Sequence, residues 1–184
     1  MREEKPAALL KRMICTASVS ILVALWPTIA GAAAAPSQLY NKTITINWGE
    51  SGTYKRISDG VNTNPVGQLQ IIVYVSSAGR PFVRGSASSG RFGGTRERAP
   101  EQISGNNVQF AGNTLVMTRG ELGIARRVLT TFDGSFASCS STVTIGKIGP
   151  NATITGFDGA VHQVVSMQPG AASCSISNGN ALAN

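Results

Sequence analysis

The chain of 184 residues holds one histidine, three cysteines and nine acidic residues, and each scarcity removes a class of chemistry. A lone His162 with no close cysteine pair leaves no ligand set for zinc. Neither a Gly-x-Ser-x-Gly nucleophile elbow nor a phosphate-cradling Gly-x-x-x-x-Gly-Lys-Ser/Thr segment occurs. The acids that follow Ala35 are scattered, so no two of them stand out as a glycosidase pair. From Ala35 onward Trp48 is the one tryptophan, which, with short strands, does not suit the two aromatic girdles of an outer-membrane barrel. No amphipathic helical pattern is visible. No cofactor is expected.

What is present begins with a leader. Residues 1–12 carry Arg2, Lys5, Lys11 and Arg12, and an uncharged stretch from Met13 to Ala35 follows at once. A basic start, an apolar middle and a run of small residues are the three parts of a secretory signal peptide. Cleavage is expected between Ala32 and Ala34, giving a leader of residues 1–34 and a single exported domain of residues 35–184. An uncleaved anchor is the rival reading, but Pro27 and the alanine-rich end favour cleavage. Cys15 lies at the start of the apolar run, the wrong end for lipidation. After cleavage no transmembrane segment is expected.

The exported part keeps Cys139 and Cys174 alone, and two cysteines in one domain outside the cytosol most simply pair. From Ala35 onward 12 Lys and Arg face 7 Asp and Glu, a net charge of +5. That excess favours solubility and attraction to anionic surfaces.

Strand signals fill the exported part. Thr43 to Trp48 alternates with period two and places Ile44, Ile46 and Trp48 on one face. Gly49 to Gly52 reads as a turn. Leu69 to Val75 is dense in β-branched residues, and Arg80 to Arg84 is its hairpin partner across Ser76–Gly79. Residues 85–107 read as one long Arg/Gly/Ser-rich loop. Val108 to Thr118 is a strand pair around Gly112-Asn113. Ile124 to Phe132 ends in Thr130-Thr131-Phe132 and favours strand. Cys139 to Ile145 alternates cleanly, and Ala152–Thr155 pairs with Val161–Met167 around Gly156–Gly159. The tail from Cys174 onward is tied by the disulfide and frays at its end. The reading is all-β, an antiparallel β-sandwich or small barrel of about eight short strands with one disulfide.

Two segments are candidates for function. Gly79 to Arg98 sets Arg80, Arg84, Arg91, Arg96 and Arg98 among glycines, with Phe82 and Phe92 between them. Arginine forks pair with carboxylate, sulfate or phosphate, and aromatic faces stack on sugars. In an exported protein this points to an anionic polysaccharide or to lipid A phosphates, and nucleic acid is not expected. The other candidate is His162, four residues after Asp158, which would serve a small secreted hydrolase. The simpler reading makes His162 a surface-facing strand residue between Val161 and Gln163.

Four stretches, residues 41–48 (NKTITINW), 71–82 (IIVYVSSAGRPF), 132–146 (FDGSFASCSSTVTIG) and 173–182 (SCSISNGNAL), together resemble a group of small exported proteins of rhizobial and related alphaproteobacteria. The resemblance covers roughly residues 41–182. It implies a periplasmic or secreted β protein with Cys139 and Cys174 paired, and it carries over no functional residue, because no activity is assigned in the group. The expected function is a non-enzymatic binding or surface-associated module acting through Arg80–Arg98. The hydrolase and a subunit of a surface assembly are the alternatives.

Overall fold

The computed structural model describes residues 34–89, 95–97, 101–102, 107–121, 123–156 and 159–183. The leader apart from Ala34, and the candidates Arg91, Phe92, Arg98 and Asp158, lie outside them.

The chain forms two antiparallel sheets, with a short 3-10 turn at Ser37–Leu39 before them. In chain order the strands are β1 (Lys42–Arg56), β2 (Asn62–Thr63), β3 (Val66–Val75), β4 (Pro81–Ser89), β5 (Thr95–Glu97), β6 (Glu101–Gln102), β7 (Val108–Ala111), β8 (Thr114–Glu121), β9 (Ile124–Phe132), β10 (Cys139–Ile148), β11 (Thr153–Thr155) and β12 (Val161–Asn178). The larger sheet runs β11-β12-β1-β3-β4-β5, with β2 paired to β1 and β6 to β4. The smaller runs β10-β9-β8-β7. The Cys139–Cys174 disulfide, with Cα atoms 5.6 Å apart, ties β10 of one sheet to β12 of the other. This is an all-β sandwich, one of the two architectures that the alternating pattern predicts, although β1 and β12, at 15 and 18 residues, are not short strands.

The alternation decides the packing. In β1 the residues Ile44, Ile46 and Trp48 point inward and are at most 3% exposed, while Thr45 and Asn47 face out. The register carries the same phase to β3 (Leu69, Ile71, Val73, Val75) and to β4 (Val83, Gly85, Ala87). On the smaller sheet Leu115, Met117, Val128 and Phe132 meet them, forming the main core. A second, smaller cluster of Tyr54, Ile124, Ala152, Val164 and Met167 lies further along β1 and β9.

Four expectations need correcting. Gly49 to Gly52 is no turn: β1 passes through it unbroken, paired with β3 at Gly49↔Gln68, Glu50↔Gly67 and Ser51↔Val66. The glycines mark close approach instead. A side chain on Gly52 would collide with the Ser166 carbonyl of β12, beside the register shift at Thr53/Tyr54. Residues 85–107 are not one loop either. Gly85 to Ser89 continues β4 in register with Gly67 to Ile71, because a strand already supplied with a ladder partner tolerates small residues of low strand propensity. Val161–Met167 and the tail from Cys174 are not separate pieces: β12 is one strand of 18 residues, Val161–Asn178. Beyond it, the buried Thr43 hydroxyl donates to the Gly179 carbonyl at 2.6 Å and accepts the Ala181 N–H at 3.1 Å.

The fourth correction concerns His162, which is buried at 1% exposure. The register pairs His162 with Arg56 and Val164 with Tyr54, all on the inward face, and turns Val161, Gln163 and Val165 outward. The period-two pattern of this segment was legible, but its phase was not, since valines occupy both faces.

Candidate binding face and an interior ion pair

The β3–β4 hairpin positions the arginine segment. Its turn closes with the Ser76 N–H on the Arg80 carbonyl (3.0 Å) and the Arg80 N–H on the Ser76 hydroxyl (3.1 Å). Gly79 takes φ +73, and a Cβ there would press into the Tyr40 ring, so both conformation and space demand glycine. From this turn β4 sends Phe82 and Arg84 to the outer face of the larger sheet, away from the core.

On that face Phe82 is in register with Tyr74 of β3, and their ring centroids are 6.4 Å apart. Arg84 stands in the next outward row, beside Ile72, and its Nη2 donates to the Ala181 carbonyl at 3.5 Å. The following row is polar: Gln70 Nε2 donates to Asn47 Oδ1 at 2.9 Å, with Ser86 on the other side. The Tyr74 hydroxyl lies 3.3 Å from Asn41 Oδ1. Tyr74, Phe82 and Arg84 are half-buried, and Arg80 is exposed at the turn. The face can offer aromatic surface, a guanidinium, amides and hydroxyls to a ligand laid across the strands.

Of the segment's candidates, the structure thus brings Phe82 and Arg84 together, with Arg80 at the turn. Arg96 lies in the edge strand β5, in register with Ala87. Tyr74 is an addition that sequence reasoning missed; its outward phase against Val73 and Val75 was the available signal.

A second arrangement was missed altogether. Glu50, 5% exposed, receives Arg126 of β9 in a two-point fork, Nε to Oε1 at 2.7 Å and Nη2 to Oε2 at 2.9 Å. The Trp48 indole N–H also donates to Oε1 at 2.9 Å. Glu50 follows Trp48 in the inward phase of β1, and Arg126 lies in that phase between Ile124 and Val128 of β9. A charge in phase with apolar neighbours on two strands is the signal that would have found the pair. Burial raises the pKa of the nearby Tyr54 above its ordinary value, Glu50 adds to the shift, and Arg126 opposes it.

His162 is shut away from solvent on the core face. Among the described residues His, Cys, Asp and Glu do not gather in groups of three that could hold a metal ion. No protein-family model, curated protein or solved structure matches the chain.

Proposed function

We propose that the protein is an exported, non-enzymatic binding module that takes an anionic polysaccharide on the outer face of its larger sheet. One observation carries the reading: Tyr74 and Phe82 pair in register beside Arg84, on a face whose next row is amide and hydroxyl. The rings offer apolar surface to the flat side of a sugar. Arg84 and Arg80 offer two-point contacts to its acidic group. The amide row satisfies hydroxyls that would otherwise lose hydrogen bonds with water. Burial of His162 speaks against the hydrolase alternative.

The test is binding of the oxidised protein to a panel of acidic and neutral bacterial glycans and lipid A, at low and moderate salt. Salt-weakened binding to acidic glycans is expected, since the arginines are at or near the surface. Arg80→Ser with Arg84→Ser should weaken it about 10- to 100-fold, the usual scale for losing charge-assisted hydrogen bonds. Phe82→Ala should weaken neutral and acidic glycans alike. Equal binding by wild type and the arginine variant would sink the proposal. Preference for lipid A would move the ligand from sugar acid to lipid phosphate.

A further inference from the structure

The outer face of the larger sheet departs from its own alternation at two places. Thr43 shares the outward phase of Thr45, and Ile72 that of Tyr74, yet Thr43 is 0% and Ile72 8% exposed. The end of the chain crosses there. After β12 the backbone turns at Gly179, at φ +86, whose N–H donates to the Asn41 carbonyl at 2.8 Å. The Thr43 hydroxyl holds the next residues from beneath, donating to the Gly179 carbonyl at 2.6 Å and accepting the Ala181 N–H at 3.1 Å. Further on, the Ala181 carbonyl accepts Nη2 of Arg84 at 3.5 Å. A short turn follows, with the Leu182 N–H on Asn180 Oδ1 at 2.9 Å.

The register fixes the path of this strap. Ser177, Thr43, Tyr74 and Phe82 form one row across the strands, and Ser175, Thr45, Ile72 and Arg84 form the next. A segment held by Thr43 of β1 in the first row and by Arg84 of β4 in the second must pass over β3, which lies between them. It thus separates the aromatic pair from the guanidinium. A sugar stacked on Tyr74 and Phe82 meets the strap before its acid reaches Arg84. The strap's hold on Arg84 is weak, a neutral carbonyl at the outer limit of hydrogen-bonding distance. A carboxylate would give a shorter, charge-assisted pair. Its firmer hold is the Thr43 hydroxyl.

We propose that residues 179–183 are an autoinhibitory strap, which occupies the outer face in the free protein and swings about Gly179 to admit an acidic sugar chain. This rests on the outer-face reading and supplies its regulation. In the closed state the Ala181 carbonyl stands in for one oxygen of the ligand's carboxylate. The apparent dissociation constant is then the intrinsic one divided by the fraction of molecules with the strap open.

The experiment follows amide hydrogen exchange by NMR in the full oxidised chain with and without polyglucuronate, and measures the affinity of the same polymer by calorimetry. Neutral dextran is the control. The Ala181 N–H should be protected in the free protein. Polyglucuronate should speed its exchange and leave that of Gly179, on the hinge, unchanged. Thr43→Val keeps a β-branched side chain and removes both hydroxyl bonds. It should tighten polyglucuronate binding about 10-fold, the scale of one or two hydrogen bonds lost by the closed strap. Ala181→Pro removes the N–H from the strap's side without touching a strand, and should act alike even where Thr43→Val fails to fold. Ala181→Ser, which keeps the N–H, should bind like wild type. Binding that requires Arg84 yet leaves Ala181 protected, and is unchanged in Thr43→Val and Ala181→Pro, would overturn the strap and keep the outer-face reading. Binding indifferent to Arg84→Ser, or no binding by wild type and strap variants alike, would overturn both. Weaker binding by Ala181→Pro would make the strap part of the ligand's seat and overturn its inhibitory role.

Discussion

The two halves of the core are built differently, and the Glu50–Arg126 pair is the border between them. On one side Ile44, Ile46, Val73, Leu115 and Phe132 interdigitate between the sheets, each at most 2% exposed, and the disulfide clamps that side. On the other, Tyr54, Ile124, Ala152, Val164 and Met167 form a smaller group, with His162 buried on the same face of β12. On both β1 and β9 a charged residue separates the two groups, Glu50 between Trp48 and Tyr54, and Arg126 between Val128 and Ile124. The large half rests on apolar burial and a covalent tie. The small half depends on the charges at its border being matched.

Breaking the border should have the largest effect. Glu50→Ala leaves Arg126 in the interior beside Arg119, and about 3–5 kcal/mol of stability should be lost in denaturant unfolding. Replacing both partners, Glu50→Leu with Arg126→Met, should recover most of that loss, because neither charge of the pair is then left without the other. A double replacement as damaging as the single one would show that the pair does more than neutralise itself.

Cys139→Ser with Cys174→Ser attacks the large half. Opening a link between residues 35 apart in sequence should cost roughly 3–4 kcal/mol by the chain-entropy account. Hydrogen exchange should then rise in β10 and the second half of β12 before it rises around Tyr54. The opposite order would erase the distinction between the halves.

Alkaline pH probes the small half more gently. The folded pKa of Tyr54 lies above its unfolded value near 10.0. The stability tied to its neutral hydroxyl is therefore complete below pH 10 and declines as pH rises toward the folded pKa. Tyr54→Phe should flatten the stability profile above pH 10, and an unchanged slope would place its cause elsewhere.

The smallest effect is expected in the β9–β10 turn. Asp133 accepts the Ala137 N–H at 2.9 Å and the Ser138 hydroxyl at 3.0 Å, and these bonds, the first above all, hold its pKa below the ordinary carboxylate value. Its contribution is present above about pH 4 and fades as pH falls through the lowered folded value. Asp133→Asn should remove a slight acid slope from the unfolding curve and leave the neutral region nearly unaltered.

Much of the fold was legible because neighbours in sequence are neighbours in space. The hairpin of β7 and β8 follows from Gly112-Asn113, with Gly112 at φ +57. Strands β11 and β12 meet around Gly156–Gly159, and the cysteine pairing was equally plain. Where reading failed, a residue was answering to a distant strand. Gly52 looked like a turn because its reason, the Ser166 carbonyl, lies more than a hundred positions away. The same holds for Gly85 in β4, which is a strand residue through its ladder with β3. His162 was misplaced because period two specifies alternation but not which face is inside. Of the outer-face residues, Phe82 and Arg84 were visible as a cation-aromatic pattern, whereas Tyr74 acquires meaning only from register.

The pairing of β1 with β12, from Lys42↔Asn178 to Arg56↔His162, also bears on the order of events in folding. The first long strand has its full-length neighbour at the far end of the polypeptide, so a high-separation contact must form before the larger sheet has its middle. Such topologies fold slowly. A chain emerging N-terminus first would hold Ile44, Ile46 and Trp48 without that neighbour until the last strand arrived. The covalent tie waits on the same strand, since Cys139 has its partner only once Cys174 of β12 is present.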